Sequence, residues 1–190
     1  MRDELSVSEQ NYLKHLFQLG AGDKEVSTNH LAESINAKPS SVTDMIQKLS
    51  VKGLVYYRKY KGTVLSSKGK KLAIQIYRLN KLWELYLYQV LDLSKNESVK
   101  IAQHYQSSYS EELITKLDQD LKEPSVDLEG NVFLDAFGKL RKTSIKLLSE
   151  INTGNAVKVV GFNDSSDAFM QYLERIAVTL GANIIVENIF

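Results

Sequence analysis

The chain is 190 residues long, 43% hydrophobic and 25% charged, which is globular usage and excludes a fibrous or wholly disordered protein. It has no cysteine, so disulfides, thiolate-bound zinc, iron–sulfur clusters and cysteine nucleophiles are excluded together. The net charge of +1 conceals segregation: between Asp44 and Glu84 there is no acidic residue, whereas Lys48, Lys52, Arg58, Lys59, Lys61, Lys68, Lys70, Lys71, Arg78 and Lys81 are all basic and both flanks are net acidic.

The chain opens on Met1-Arg2-Asp3-Glu4, acidic where an export signal is basic. No apolar run reaches the roughly 18 residues of a membrane span, so a cytoplasmic protein is expected. Ser6 or Ser8 can cap a first helix carrying Tyr12, Leu13, Leu16, Phe17 and Leu19 at helical spacing and ending at Gly20 and Gly22. Ser27 or Thr28 caps a second through Leu31, Ala32 and Ile35, which Pro39 halts near Ala37 and Lys38. A third is expected from about Ser40 to Lys52 with Val42, Met45, Ile46 and Leu49 inward, making a helix-turn-helix.

Residues 54–57 and 63–65 are β-rich runs about the glycine-containing turn 58–62, a hairpin with a basic tip. Ser66 or Ser67 caps a long helix over about 68–91, and a further helical stretch follows over about 94–121, with a possible break near Ser110. Its tyrosines and leucines suit a dimer seam or packing within one chain equally well. Periodicity lapses from Pro124 to Phe133, read as a linker. A strand over 156–160, a helix over 166–179 and a strand over 183–190 close the chain.

A helix-turn-helix lays its second helix in the major groove, so Ser40, Ser41, Thr43, Gln47 and Lys48 are the candidate base and phosphate contacts. Asp44, on the same turns, could accept from a cytosine amino group or pair with a lysine. Arg58, Lys59 and Lys61 on the hairpin and Lys68, Lys70 and Lys71 at the next helix start are candidate backbone contacts, which position a protein without specifying sequence. The alternative for the charge pattern alone is a solvated lysine-rich face.

The succession Asn11-Tyr12-Leu13, Val26-Ser27-Thr28 with Leu31-Ala32, Lys38-Pro39-Ser40-Ser41-Val42-Thr43 with Lys48-Leu49, Lys52-Gly53-Leu54-Val55, Tyr60-Lys61-Gly62, residues 64–71, Ser110-Glu111-Glu112-Leu113 and Pro124 with Asp127 and Gly130 resembles the diphtheria toxin repressor family of iron- and manganese-dependent regulators. The first half resembles its manganese transport regulators in particular. The resemblance implies a mainly α protein: a winged helix-turn-helix DNA-binding domain over 1–73, a helical dimerisation domain over 74–123, a linker over 124–153, and a β-α-β module over 154–190 that looks like part of an SH3-like domain. It implies a homodimer on a palindromic double-stranded DNA operator, acting as a repressor.

It also implies a manganese or iron co-repressor, and the ligands can be checked. The aligned positions are Asn11 and Lys14 on the first helix, Asn80 on the long helix, and Gln103, Gln106 and Ser107 beyond it. None is a carboxylate or imidazole, and Lys14 places a cation where a cation would bind, so the inherited site is expected to be lost and no cofactor is expected. A site relocated to His15, His104, Glu9 and Glu84 is the alternative. No phosphate-binding glycine loop and no histidine–carboxylate pair at catalytic spacing is present, so no enzyme and no small-molecule substrate are expected. The competing class is a protein-interaction module on a winged-helix scaffold.

Overall fold

The computed structural model describes residues 5–20, 23–59, 61–108, 110–142, 145–162 and 166–188, with the side chains of Gln106, Ser107, Ser108 and Asp167 left out of the description. Helix α1 (Val7–Gly20) starts on a reciprocal capping box. The Glu9 N–H donates to Ser6 Oγ at 3.2 Å, and the Ser6 N–H donates to Glu9 Oε2 at 2.8 Å. Of the two candidate caps for α2 (Thr28–Ser34), Ser27 serves, accepting the His30 N–H. The chain then turns at Asn36 in the left-handed region, φ 51°, and α3 (Pro39–Val51) begins on proline as expected.

Strands β1 (Val55–Arg58) and β2 (Gly62–Leu65) pair antiparallel with Val55 opposite Leu65 and Arg58 opposite Gly62. Val26 adds an isolated antiparallel bridge to β2 that periodicity does not foretell, exchanging two 2.9 Å backbone bonds with Thr63. This explains Gly62: at φ 146° a Cβ there would lie 2.8 Å from the Val26 carbonyl oxygen. One core, including Leu13, Leu16, Leu31, Val42, Ile46, Leu49, Leu54 and Ala73, binds α1–α3, the hairpin and the start of α4 (Ser67–Gln89). Each fully buried aliphatic side chain there contributes about 1.5–3 kcal/mol of transfer free energy.

A second core joins Leu79, Leu82 and Leu85 of α4 to Ile114 and Leu117 of α6 (Glu111–Asp120) and to Leu128 and Phe133. The helical stretch expected over 94–121 is α5 (Lys95–Ala102), a 3-10 turn (Gln103–Ser108) and α6; the break near Ser110 is there, and Ser110 caps α6 by accepting the Leu113 N–H. The lapse at 124–133 is not an unstructured tether. Asp127 Oδ1 accepts the N–H groups of Glu129 and Asn131, Asp135 Oδ1 accepts those of Phe137 and Lys139, and bridges at Val126–Val132 and Leu134–Leu140 close both turns. Val126, Leu128 and Phe133 are buried, so the first part of the expected linker is packed structure.

Strands β3 (Ala156–Lys158) and β4 (Asn183–Ile185) pair antiparallel around α7 (Asp167–Arg175). The strands are shorter than expected, and α7 stops before Thr179 because Ala177 turns left-handed at φ 57°. Among the described residues no helix is long and apolar enough to cross a membrane.

Candidate nucleic-acid interface and the α1–α4 junction

The first turns of α3 present Ser40, Ser41, Asp44 and Gln47 to solvent while Val42, Ile46 and Leu49 face inward. The N-cap is Lys38, whose side chain makes no capping bond, so the first amide groups of α3 are not occupied by a side chain. Thr43 is half-buried and its hydroxyl donates to the Pro39 carbonyl at 3.0 Å, turned back on its own helix.

The lysines divide. Lys48 and Lys52 lie 3.3 and 2.8 Å from Glu9 Oε1, so Lys48, an expected DNA contact that stays exposed, also balances a buried carboxylate. Glu9 is 1% exposed. Burial alone would raise its carboxyl, but the Lys52 ammonium, the Ser6 N–H and the Lys48 ammonium hold it down to about 2. Glu9, a candidate relocated metal ligand by sequence, instead pins the C-terminal end of α3 to α1 in the structure. Arg58 sits 3.7 Å from Glu25, and Lys70 binds Asp23 at 2.7 Å, both at the surface. Lys59, Lys61, Lys68 and Lys71 are exposed around the hairpin and the start of α4, and Tyr60 lies outside the described residues.

Two basic residues of the charged stretch point the other way. Arg78 and Lys81 are 7% and 9% exposed. Arg78 and Arg141 share Asp118, tying α4 and the 139–142 segment to α6. Lys81 Nζ is 2.9 Å from Glu84, 2.6 Å from Glu129 and 3.6 Å from Asp127. Burial would lower the Lys81 ammonium, but these three carboxylates raise it above its ordinary value. A signal for such cages existed in the sequence: with no acid between Asp44 and Glu84, any inward-facing base must draw its partner from outside that stretch.

The expected metal positions meet in part. Lys14 is 5% exposed, and its Nζ donates to Asn80 Oδ1 at 3.1 Å across the α1–α4 contact. Burial first, and then the Lys81 charge, press the Lys14 ammonium down to about 8, against the pull of Glu84. Asn80 Nδ2 is buried with no hydrogen-bond partner among the described residues. Asn11 is half-buried on α1, Gln103 is exposed on the 3-10 turn, and the side chains of Gln106 and Ser107 lie outside the described residues. A divalent ion needs lone pairs, whereas Asn80 offers its oxygen to an ammonium already in place and its second amide atom is a donor. Lys14 and Asn80, as paired, do not fit a divalent ion.

Nor are the residues of the relocated site joined to one another. Glu9 is bound to lysines, Glu84 to Lys81, His15 to the Ser34 hydroxyl and His104 to the Lys100 carbonyl. Among the described residues no group of three or more His, Asp or Glu side chains is arranged to hold a metal.

Comparison with known proteins places this geometry. Residues 4–63 match the family described as iron dependent repressor, N-terminal DNA binding domain. Residues 66–134 match its metal binding and dimerisation domain. The chain is 30% identical over 114 residues to an uncharacterized HTH-type transcriptional regulator of Methanocaldococcus jannaschii, covering 60% of this chain and 91% of that protein. It is 35% identical over 80 residues to the HTH-type transcriptional regulator MntR of Bacillus subtilis, 42% of this chain and 56% of that one. The match thus spans little more than half of that regulator.

Among solved structures, a manganese-dependent transcriptional repressor in complex with manganese superposes with a TM-score of 0.66 at 25% identity, covering 95% of this chain and 83% of that one. ScaR with bound Zn2+ gives 0.60 at 27%, covering 93% and 82%. The curated relatives are transcriptional regulators, not enzymes. With both halves of the family pattern present in order on the expected fold, the chain belongs to the iron-dependent repressor family.

Proposed function

We propose that the chain is a cytoplasmic, sequence-specific transcriptional repressor that binds a palindromic DNA operator as a homodimer and does so without a divalent metal co-repressor. The observation that carries the reading is the exposed start of α3, whose serines and unoccupied amide groups are followed along the chain by a lysine-bearing wing. Ser40, Ser41 and the α3 N-terminus suit phosphate, Gln47 suits an adenine edge, and Lys59, Lys61, Lys68 and Lys71 supply charge along the backbone. Asp44, exposed beside them, suits a cytosine amino group. The winged domain over 1–73 reads DNA, and the helices over 74–123 supply the twofold contact, where Val90, Leu91 and Tyr105 are exposed on a single chain.

The direct test is selection of bound genomic fragments by the full chain, followed by hydroxyl-radical footprinting in excess EDTA and again with Mn2+. Two protected half-sites related by a dyad, about one helical turn apart or a multiple of it, are expected in both conditions. Protection seen only with Mn2+ removes the metal-free part of the proposal. No selected fragment in either condition leaves the protein-interaction reading.

A further inference from the structure

Resting on the DNA-binding reading above, we propose that the Lys14 ammonium is a resident cation that fastens α1 to α4, so that the operator-competent arrangement is populated with no soluble ion. The bond from Lys14 Nζ to Asn80 Oδ1 is a buried contact between groups 66 residues apart in the chain. Asn80 and Glu84 are one helical turn apart on α4, so an amide oxygen and a carboxylate occupy the same stripe of that helix. Glu84 acts on Lys14 through its charge and on Lys81 through a 2.9 Å contact. The other carboxylates in this part of the matched metal-binding domain, Asp127 and Glu129, also surround Lys81. Ammonium groups of the chain itself therefore serve the oxygen atoms that would otherwise call for a cation.

The tether has a route to the DNA-facing helix. Glu9 lies five residues before Lys14 on α1 and holds Lys48 of α3 and Lys52, the C-cap that follows it. Helix α1 is thus tied to α4 at one point and to α3 at another, and the position of α3 follows that of α1. A soluble ion shifts such an arrangement only by its differential affinity for the two states. A covalently held ammonium makes the same shift permanent, indifferent to ion supply and to chelators.

The test uses the full chain and three variants. Lys14→Met removes the charge at similar length, Lys14→Arg keeps the charge, and Lys14→Glu sets a carboxylate against Asn80 Oδ1 and beside Glu84. Operator affinity of the wild type is expected to be equal in EDTA and in Mn2+. Lys14→Met is expected to weaken operator binding about tenfold in both conditions, within the range usual for coupled sites, while remaining a dimer with an unchanged helical spectrum. Lys14→Arg restores most of the affinity. Lys14→Glu is expected to take up one Mn2+ per chain by electron paramagnetic resonance without DNA and to need that ion for the operator.

Three results overturn the proposal: a folded Lys14→Met that binds as tightly as wild type, a wild type that takes up Mn2+ stoichiometrically, or wild-type operator binding lost in EDTA and regained with Mn2+. If Lys14→Met does not fold, the Lys14→Glu and wild-type Mn2+ measurements decide. Because ion uptake is read without DNA, a chain that binds no DNA at all defeats the functional reading separately from the Lys14 assignment.

Discussion

Replacing Gly69 by alanine is expected to cost about 3–5 kcal/mol, enough to remove most of the stability of an ordinary domain. Gly69 is the third residue of α4, and its N–H donates to the capping Ser66 hydroxyl. Ser66 in turn donates its hydroxyl to the Gly53 carbonyl at 2.7 Å and its N–H to the Leu54 carbonyl at 3.0 Å. The start of α4 is thereby pressed onto the link between α3 and β1. A methyl group on residue 69 would overlap the Leu54 carbonyl oxygen and lie 2.8 Å from its carbon. That neighbour is backbone, and Leu54 itself is only 2% exposed, so no side chain can swing aside. Relief requires moving a helix axis against a filled core, which is the costliest way to absorb one methyl. Urea unfolding followed by the fluorescence of Trp83, the sole tryptophan, measures the loss. Gly154→Ala is the control: its φ is positive, at 83°, unlike that of the helical Gly69, but nothing lies within 4 Å of the added carbon, and about 1 kcal/mol is expected. Equal midpoints for Gly69→Ala and wild type would contradict the packing described.

Lys81→Met is expected to cost a further class of loss, about 3–5 kcal/mol at pH 7, because it leaves three carboxylates facing one another without a cation. Glu84 and Asp127 have side chains 4% exposed, and Glu129 reaches in from the surface. The pH dependence carries the diagnosis. In the wild type the ammonium is raised above its ordinary value, so its contribution is complete below that value and fades only as pH rises through the higher one. Burial already raises Glu84 and Asp127 in the wild type against the pull of Lys81; without that ammonium they rise further, so folding of the variant takes up more protons and the deficit shrinks as pH falls from 7 toward 5. Melting curves across that interval should converge for variant and wild type. A deficit that stays constant would show that Lys81 acts by packing alone.

Much of the fold was legible because its signals are local. Ser27, Ser66 and Ser110 stand before helices with the N–H three residues on bonded to their hydroxyls, and Pro39 and Asn36 mark the break between α2 and α3. The Val26–Thr63 rung was not legible, since a single extended residue before a cap carries no period. The packing of the 124–142 stretch is not legible for a related reason: neither a 3.6 nor a 2 period runs through it. Its own signal is an eight-residue echo, Val126-Asp127 with Gly130 and Val132, then Leu134-Asp135 with Gly138 and Leu140, each an Asp-headed turn closed by a glycine at positive φ.

Residue types named the candidate site more surely than its pairings. The exposed serines of α3 and the lysines of the wing followed from helix position and charge. The pairing of Lys48 and Lys52 with Glu9, and the burial of Arg78 and Lys81 against distant acids, depend on tertiary contacts between separate elements, which charge counting along a sequence does not see.

The central claim, that this chain grips duplex DNA through charge without a metal, is tested most directly by operator affinity measured against salt in excess EDTA. Each phosphate neutralised removes about 0.9 log unit of affinity per log unit of salt. With the exposed lysines of the wing and α4 engaged on both subunits, a slope of about −6 or steeper is expected, and the same slope with Mn2+ in place of the chelator. A flat dependence, or a steep one that appears only when Mn2+ is present, would contradict it.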